Sequence, residues 1–213
     1  NPSPFQNNSN IKSVIVSEGV TGIGERLFQY CDNLKTVSLP TTLTAIKKAA
    51  FLPHIDGYIC HQSLNGLTEL RIPERVAELG VNAFAGTAIK SVTVPSSVVT
   101  VGAMVFTECQ NLETVRYSGK IISDRMFARC IRLKNLTLTK SVREIVGGCF
   151  NYCENLTQIT YEGSLADWNA VKKNNNWDGH SNSTTETPLT KIQCLDGYME
   201  YVAGTKTWKE VKS

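Results

Sequence analysis

Apolar residues recur along this chain in short alternating runs, separated by longer turn-forming stretches, and the whole arrangement repeats. Each unit opens with an apolar residue and places two more at its fourth and sixth positions. The first reads Ile11-Lys-Ser-Val14-Ile-Val16, then Val20-Thr-Gly-Ile23-Gly24, then Leu27-Phe28-Gln-Tyr-Cys31. The second begins at Leu34 with Val37-Ser-Leu39-Pro40, Leu43-Thr-Ala-Ile46 and Ala50-Phe51. The third begins at Leu67 with Leu70-Arg-Ile72-Pro73, Val76-Ala-Glu-Leu79-Gly80 and Ala83-Phe84. Units from Ile89, Leu112 and Leu133 follow the same plan and end in Phe106-Thr-Glu-Cys109, Phe127-Ala-Arg-Cys130 and Phe150-Asn-Tyr-Cys153. A seventh opens at Leu156 with Ile159-Thr-Tyr161 and then departs from the pattern.

The starts are separated by 23, 33, 22, 23, 21 and 23 residues. A period in this range is the signature of a solenoid, in which each repeat buries its apolar face only by stacking on the next. Alternation puts the fourth and sixth side chains on one face of a short strand. Stacked copies then form a parallel sheet. Pro40, Pro73 and Pro95 end their strands because proline donates no ladder hydrogen bond. Phe28, Phe51, Phe84, Phe106, Phe127 and Phe150 are expected to stack coil on coil at the far side of the core. Seven strands about 4.8 Å apart give a short rod roughly 30–40 Å long.

The Val-x-Ile-Pro-like, Val-x-x-Ile-Gly-like and Ala-Phe-x-x-Cys-like elements resemble BspA-type leucine-rich repeats, and the resemblance covers about residues 11–201. It implies an α/β repeat fold: a leucine-rich-repeat solenoid, coiled right-handed, with a parallel sheet on one face and a C-terminal helix and hairpin cap. It also implies an exported bacterial surface protein engaged in adhesion, at an extracellular or cell-surface location. The family has no catalytic residues to carry over.

Residues 1–10 read as a flexible lead, 11–163 as the solenoid of about seven repeats, and 164–213 as cap and tail. Ser164 with Asp167 forms a capping-box signature for an amphipathic helix that lays Trp168 over the last repeat. Thr190–Leu195 and Tyr198–Tyr201, joined through Asp196-Gly197, read as a hairpin. Trp168 and Cys194-Leu-Asp196-Gly197 resemble the terminal element of BspA-type arrays. The chain starts with Asn and shows no comparable N-terminal cap, so an excised piece of a longer protein is expected.

Composition narrows the function. A formal net charge of +3 over 213 residues, with no Lys/Arg block, argues against a nucleic-acid or anionic-membrane surface. No apolar run approaches the roughly 18 residues of a membrane span. No metal site, cofactor or catalytic centre is expected. The seven cysteines are odd in number, so one at least has no partner within the chain. Cys31, Cys109, Cys130 and Cys153 share one repeat position and read as a ladder of buried small hydrophobes, though inter-coil spacing would also admit a disulfide. An insert of about ten residues after Phe51 gathers His54, Asp56, Cys60 and His61. Adjacency in a loop assures neither the base–nucleophile geometry of catalysis nor a metal site, and a surface bulge is the simpler reading. Asn174–Ser183 reads as a solvated loop. The sequons at Asn135 and Asn155 recur with the repeat and are assigned no glycan.

What remains is the outward face of the sheet. Position three carries Ser13, Thr36, Glu69, Ser91, Thr114, Asn135 and Gln158; position five carries Ile15, Ser38, Arg71, Thr93, Arg116, Thr137 and Thr160. Lys12, Lys35, Lys90 and Lys134 flank them. Ser and Thr suit any solvated strand, but stacked repeats also build an extended binding surface. The residues chosen for it are Arg71, Arg116, Thr93, Thr137, Glu69, Lys90 and Lys134, with the two arginines as anchors. No aromatic stripe is present, against a carbohydrate or single-stranded nucleic-acid platform. The expected partners are other proteins, of the extracellular matrix or of cell surfaces. The alternative is a passive spacer in a longer surface protein.

Overall fold

The computed structural model describes residues 3–54, 66–180 and 187–212. The alternating runs form parallel strands stacked in one register. Ser91–Val94, Thr114–Tyr117, Asn135–Thr139, Gln158–Glu162 and Lys191–Cys194 make a continuous front sheet, which Gly197–Val202 and Thr207–Lys212 extend antiparallel to seven strands. Ser13–Ile15 and Thr36–Ser38 pair separately. The register aligns Val92, Val115, Leu136, Ile159 and Ile192 in one buried column.

The Val-x-x-Ile segments also pair, so sheets lie along two sides of the coil rather than one. Gly22–Ile23, Ala45–Ile46, Glu78–Leu79 and Thr100–Val101 form one four-stranded parallel sheet, and Ile121–Ile122, Glu144–Ile145 and Lys172–Lys173 a three-stranded one. Between them the Ser123 hydroxyl donates to the Gly102 carbonyl at 2.6 Å, bridging the break.

The Phe segments are tight turns, and the described residues contain one α-helix only. Two left-handed residues bracket every Phe of the column except Phe51, which has only the preceding one. Arg26, Ala49, Asn82, Met104, Arg125 and Gly148 precede it by two, while Tyr30, Gly86, Glu108, Arg129 and Tyr152 follow it by two. Single left-handed residues of this kind break helical runs. The turn swings each ring inward, where Phe28, Phe51, Phe84, Phe106, Phe127 and Phe150 stack at centroid spacings of 5.3–6.2 Å. Phe5 adds a rung, 5.6 Å from Phe28. Within the segment read as a flexible lead, Asn7 N–H donates to Gln29 O at 2.9 Å while Phe5 stays 44% exposed.

The described cysteines are free thiols. Sγ of Cys31, Cys109, Cys130 and Cys153 donates to the carbonyl of Phe5, Phe84, Phe106 and Phe127 respectively, at 3.0–3.3 Å. They are buried hydrophobes whose thiols add a second hydrogen bond to carbonyls that already accept a turn N–H from three residues on.

The coil continues past residue 163, because Lys172–Lys173 and Lys191–Cys194 each add a rung to its two sheets. The helix Leu165–Ala170 intervenes with the expected Ser164/Asp167 capping box, and Trp168 is buried. Asp196 Oδ1 accepts the Leu165 N–H at 2.7 Å, so the hairpin turn also caps the helix. That turn is centred on Leu195-Asp196, since Cys194 pairs with Gly197. The expected solvated loop is packed over its described part. Asp178 is buried, its Oδ2 accepting Trp208 Nε1 at 2.7 Å, and the His180 ring stacks on Tyr201 at 3.8 Å. Asn135 lies on a strand, whereas Asn155 lies in a turn and donates from Nδ2 to Ile131 O at 2.5 Å.

Candidate interaction face

The register gathers the position-five residues Thr93, Arg116, Thr137 and Thr160 into one outward column on the front sheet. Thr93 and Arg116 are exposed and Thr137 half-buried. Arg116 is not a free anchor. Its guanidinium spans the intervening strand to grip Glu162 in a two-pronged fork at 2.6 and 2.7 Å. Hydrogen bonding to Arg116 lowers the Glu162 pKa, and the same bond raises that of Arg116. Lys134 pairs with Glu113 at 2.8 Å, and that hydrogen bond is the main reason Glu113 titrates low. Lys90 stands on the other side of Glu113, so the expected cationic flank alternates in sign here.

Arg71 and Glu69 sit somewhere different. The rung Leu67–Ile72 starts in register, with Gly66 N–H donating to Asp32 O at 2.9 Å and Thr68 N–H to Lys35 O at 3.0 Å. It rejoins at Ala77, whose N–H donates to Thr44 O at 2.8 Å. Between these points no backbone hydrogen bond ties residues 69–72 to either neighbouring strand. The front sheet is split at this rung. Depressions of about 500, 620 and 500 Å³ flank it, and Arg71 lines all three. Leu39 and Leu70, core residues by pattern, are only half-buried beside it. The sequence carries one signal of this break: the rung is entered through the 33-residue unit, at Gly66 with φ +73°.

The rest of the insert chemistry divides. His54 is exposed, its ring stacked on Tyr30 at 4.2 Å and Nδ1 at 2.8 Å from Asp32 Oδ2. Asp56, Cys60 and His61 lie outside the described residues. Among the described residues, no group of three or more His, Cys, Asp or Glu is arranged to hold a metal ion, and no helix is long and apolar enough to cross a membrane.

Short parallel strands stacked at a fixed period over a continuous Phe and aliphatic core define a leucine-rich-repeat solenoid. The chain belongs to the BspA type leucine-rich repeat family, whose pattern matches six copies over residues 1–54 and 53–171. A solved leucine-rich repeat protein from Bacteroides ovatus ATCC 8483 is similar with a TM-score of 0.56 at 18% identity, covering 92% of this chain and 64% of that one. At that identity the likeness is one of fold. A leucine-rich cell surface protein from Faecalibacterium prausnitzii A2-165 is 24% identical over 76% of this chain and 62% of its own, with a TM-score of 0.31. A leucine-rich repeat protein from Eubacterium ventriosum ATCC 27560 is 19% identical over 87% and 60%, with a TM-score of 0.48. The chain thus spans less than two thirds of each of these structures. No curated protein matches it.

Proposed function

We propose that this chain is a non-catalytic protein-binding module, displayed at the cell surface or released from the cell, that holds extracellular-matrix or cell-surface proteins against its front face. The observation that carries the reading is the face itself. Successive coils present their third and fifth side chains outward in fixed columns, so the surface is extended, shallow and polar, as suits a protein partner rather than an enclosed small molecule. The occurrence of BspA-type repeats in bacterial surface proteins supports the location. The adhesive role is inferred from fold and family rather than from a reactive site.

The test is capture of purified matrix and cell-surface proteins by the immobilised chain at low and physiological salt. An Arg71→Glu, Lys90→Glu variant serves as control. Saturable capture that the variant loses, with its melting unchanged, supports the module. Absence of capture across the panel rejects it in favour of a spacer, for which the internal pairing of Arg116 with Glu162 and Lys134 with Glu113 is the favouring observation.

A further inference from the structure

We infer that the break in the front sheet around Leu70–Ile72 is a docking groove for an extended peptide segment of a partner protein, one that carries a single acidic side chain for Arg71. This deepens the protein-binding reading and rests on it. The argument begins with the backbone. In a parallel ladder, the N–H and C=O of one residue point to the same neighbour, and successive residues alternate. Val16 N–H bonds Ser38 O, so Ser38 faces the first coil while Val37 and Leu39 face the break. On the other side Thr114 N–H bonds Lys90 O and Ser118 N–H bonds Val94 O, so Ser91 and Thr93 face the break. Two strand edges and the unladdered rung between them therefore line the depressions with main-chain donors and acceptors. Such groups are satisfied by another extended backbone, and this is how sheet edges recruit peptides.

Side chains set the rest of the chemistry. Half-buried Val37, Leu39 and Leu70 offer apolar contact to alternate residues of the peptide. The charges at the break are Arg71, Arg75, Lys90 and Arg116 against Glu69 and Glu74, and Arg116 is offset by its pairing with Glu162. An excess of one positive charge suits a segment with one carboxylate and disfavours a polyanion, which the two glutamates would repel. Arg71 is the place for that carboxylate, because it stands at the centre of the break and Arg116 is already engaged by Glu162.

A library of random linear peptides of about eight residues, enough to span a rung at strand spacing, is selected on the intact chain and counter-selected on Arg71→Glu. The enriched sequences are synthesised with and without N-methylation at alternate backbone positions and titrated by fluorescence anisotropy. The expected winners share one acidic position, and weaken about tenfold or more both on Arg71→Glu and on N-methylation. Thr100→Glu, at an exposed position of the sheet on the coil's other side, leaves their binding unchanged. No enrichment over the counter-selection, or binding indifferent to N-methylation, overturns the groove. The two proposals fail separately. Matrix proteins captured without competition from the winning peptide would sink the groove and leave the module standing. Peptides bound at Arg71 with no matrix protein captured would sink the adhesive role and leave the groove.

Discussion

The same repeat pattern is folded to two degrees of completeness in the two halves of this solenoid. From Ser91 onward the front strands form one unbroken sheet, and the fourth-position residues Val92, Val115, Leu136 and Ile159 are 4%, 1%, 2% and 0% exposed. Before it, their equivalents Val14, Val37 and Leu70 are half-buried. The apolar residue types are alike, so side-chain choice does not account for the difference. The ladder does. Where each rung is bonded to the next, neighbouring coils close over the strand's inner face. Where the third rung leaves the ladder, water reaches Val37 and Leu70, whereas Val14, although laddered to Val37, is half-buried because its strand is the outermost of the front side. The Phe column ignores this division and runs through both halves, because the turns hold their own inter-coil bonds, such as Phe51 N–H to Ala83 O at 2.9 Å and Phe84 N–H to Val105 O at 3.0 Å. The break belongs to one side of the coil.

The largest expected effect concerns alkaline pH and is concentrated in the complete half. Burial pushes the Cys109 and Cys153 thiols from an ordinary 9.0 up to about 12, and Cys130 and Cys149 also lie well above it. Their folded-state pKa values are raised, so their contribution to stability is complete below about pH 9 and is lost as pH rises toward the folded values. Each thiol costs about 1.4 kcal/mol per pH unit in that window. Lys173 acts oppositely, since burial lowers it from 10.5 to about 8 and its penalty is relieved as pH rises between those values. Four thiols outweigh one lysine. Urea denaturation under reducing conditions should therefore show stability falling steeply between about pH 9 and 10.5. A Cys109→Ala, Cys130→Ala, Cys153→Ala variant should show a shallower slope, whatever its absolute stability. A slope unchanged by the triple substitution would mean that the thiols ionise without unfolding.

A smaller effect should separate the halves directly. Leu136→Ala removes a side chain that is 2% exposed within the continuous sheet and should cost about 2–5 kcal/mol. Leu70→Ala, at the same repeat position beside the break, should cost about 1 kcal/mol, since part of that surface is already in water. Equal losses in urea denaturation would show that the break closes in solution.

How legible this was follows from which interactions are periodic. The strands at Val14, Val37, Val92, Val115, Leu136 and Ile159, the Phe column and the cysteine ladder all rest on residues that recur at a fixed position. Period alone identifies them. The Ser164 and Asp167 capping box was equally plain, being a local bond over three residues. What stayed hidden depends on long-range geometry without repetition. Asp178 and His180 look like loop polar groups until Trp208 and Tyr201, on the last two strands, fold against them. The left-handed positions are not legible in the sequence because Arg26, Ala49, Asn82, Met104 and Arg125 span four residue types and have in common only a place in the turn. The break at Leu70 was hidden for the opposite reason, since its sequence keeps the pattern that its backbone abandons. At the candidate face the outward columns were legible from alternation. The engagement of Arg116 was not, because Glu162 is 46 residues away and reaches it only once two further coils have stacked.

The smallest effect falls on that arginine and tests whether the two halves also differ in what they offer a partner. Arg116 and Glu162 are about half exposed, at 47% and 40% of their side-chain surface, so solvent screens the pair. Arg116→Gln should lower stability by less than about 1 kcal/mol even though the fork has two short bonds. In the capture assay the substitution should matter less than Arg71→Glu, because a partner engaging Arg116 must first displace Glu162 and gains only the difference between two similar carboxylate contacts. Glu162→Gln sharpens the point. It frees the guanidinium without removing it, and should increase retention of acidic partners on the continuous sheet while leaving the Arg71 groove unaltered. If Arg116→Gln instead abolished capture and Arg71→Glu left it intact, the complete half would be the binding half, and the break in the ladder would be a feature of folding alone.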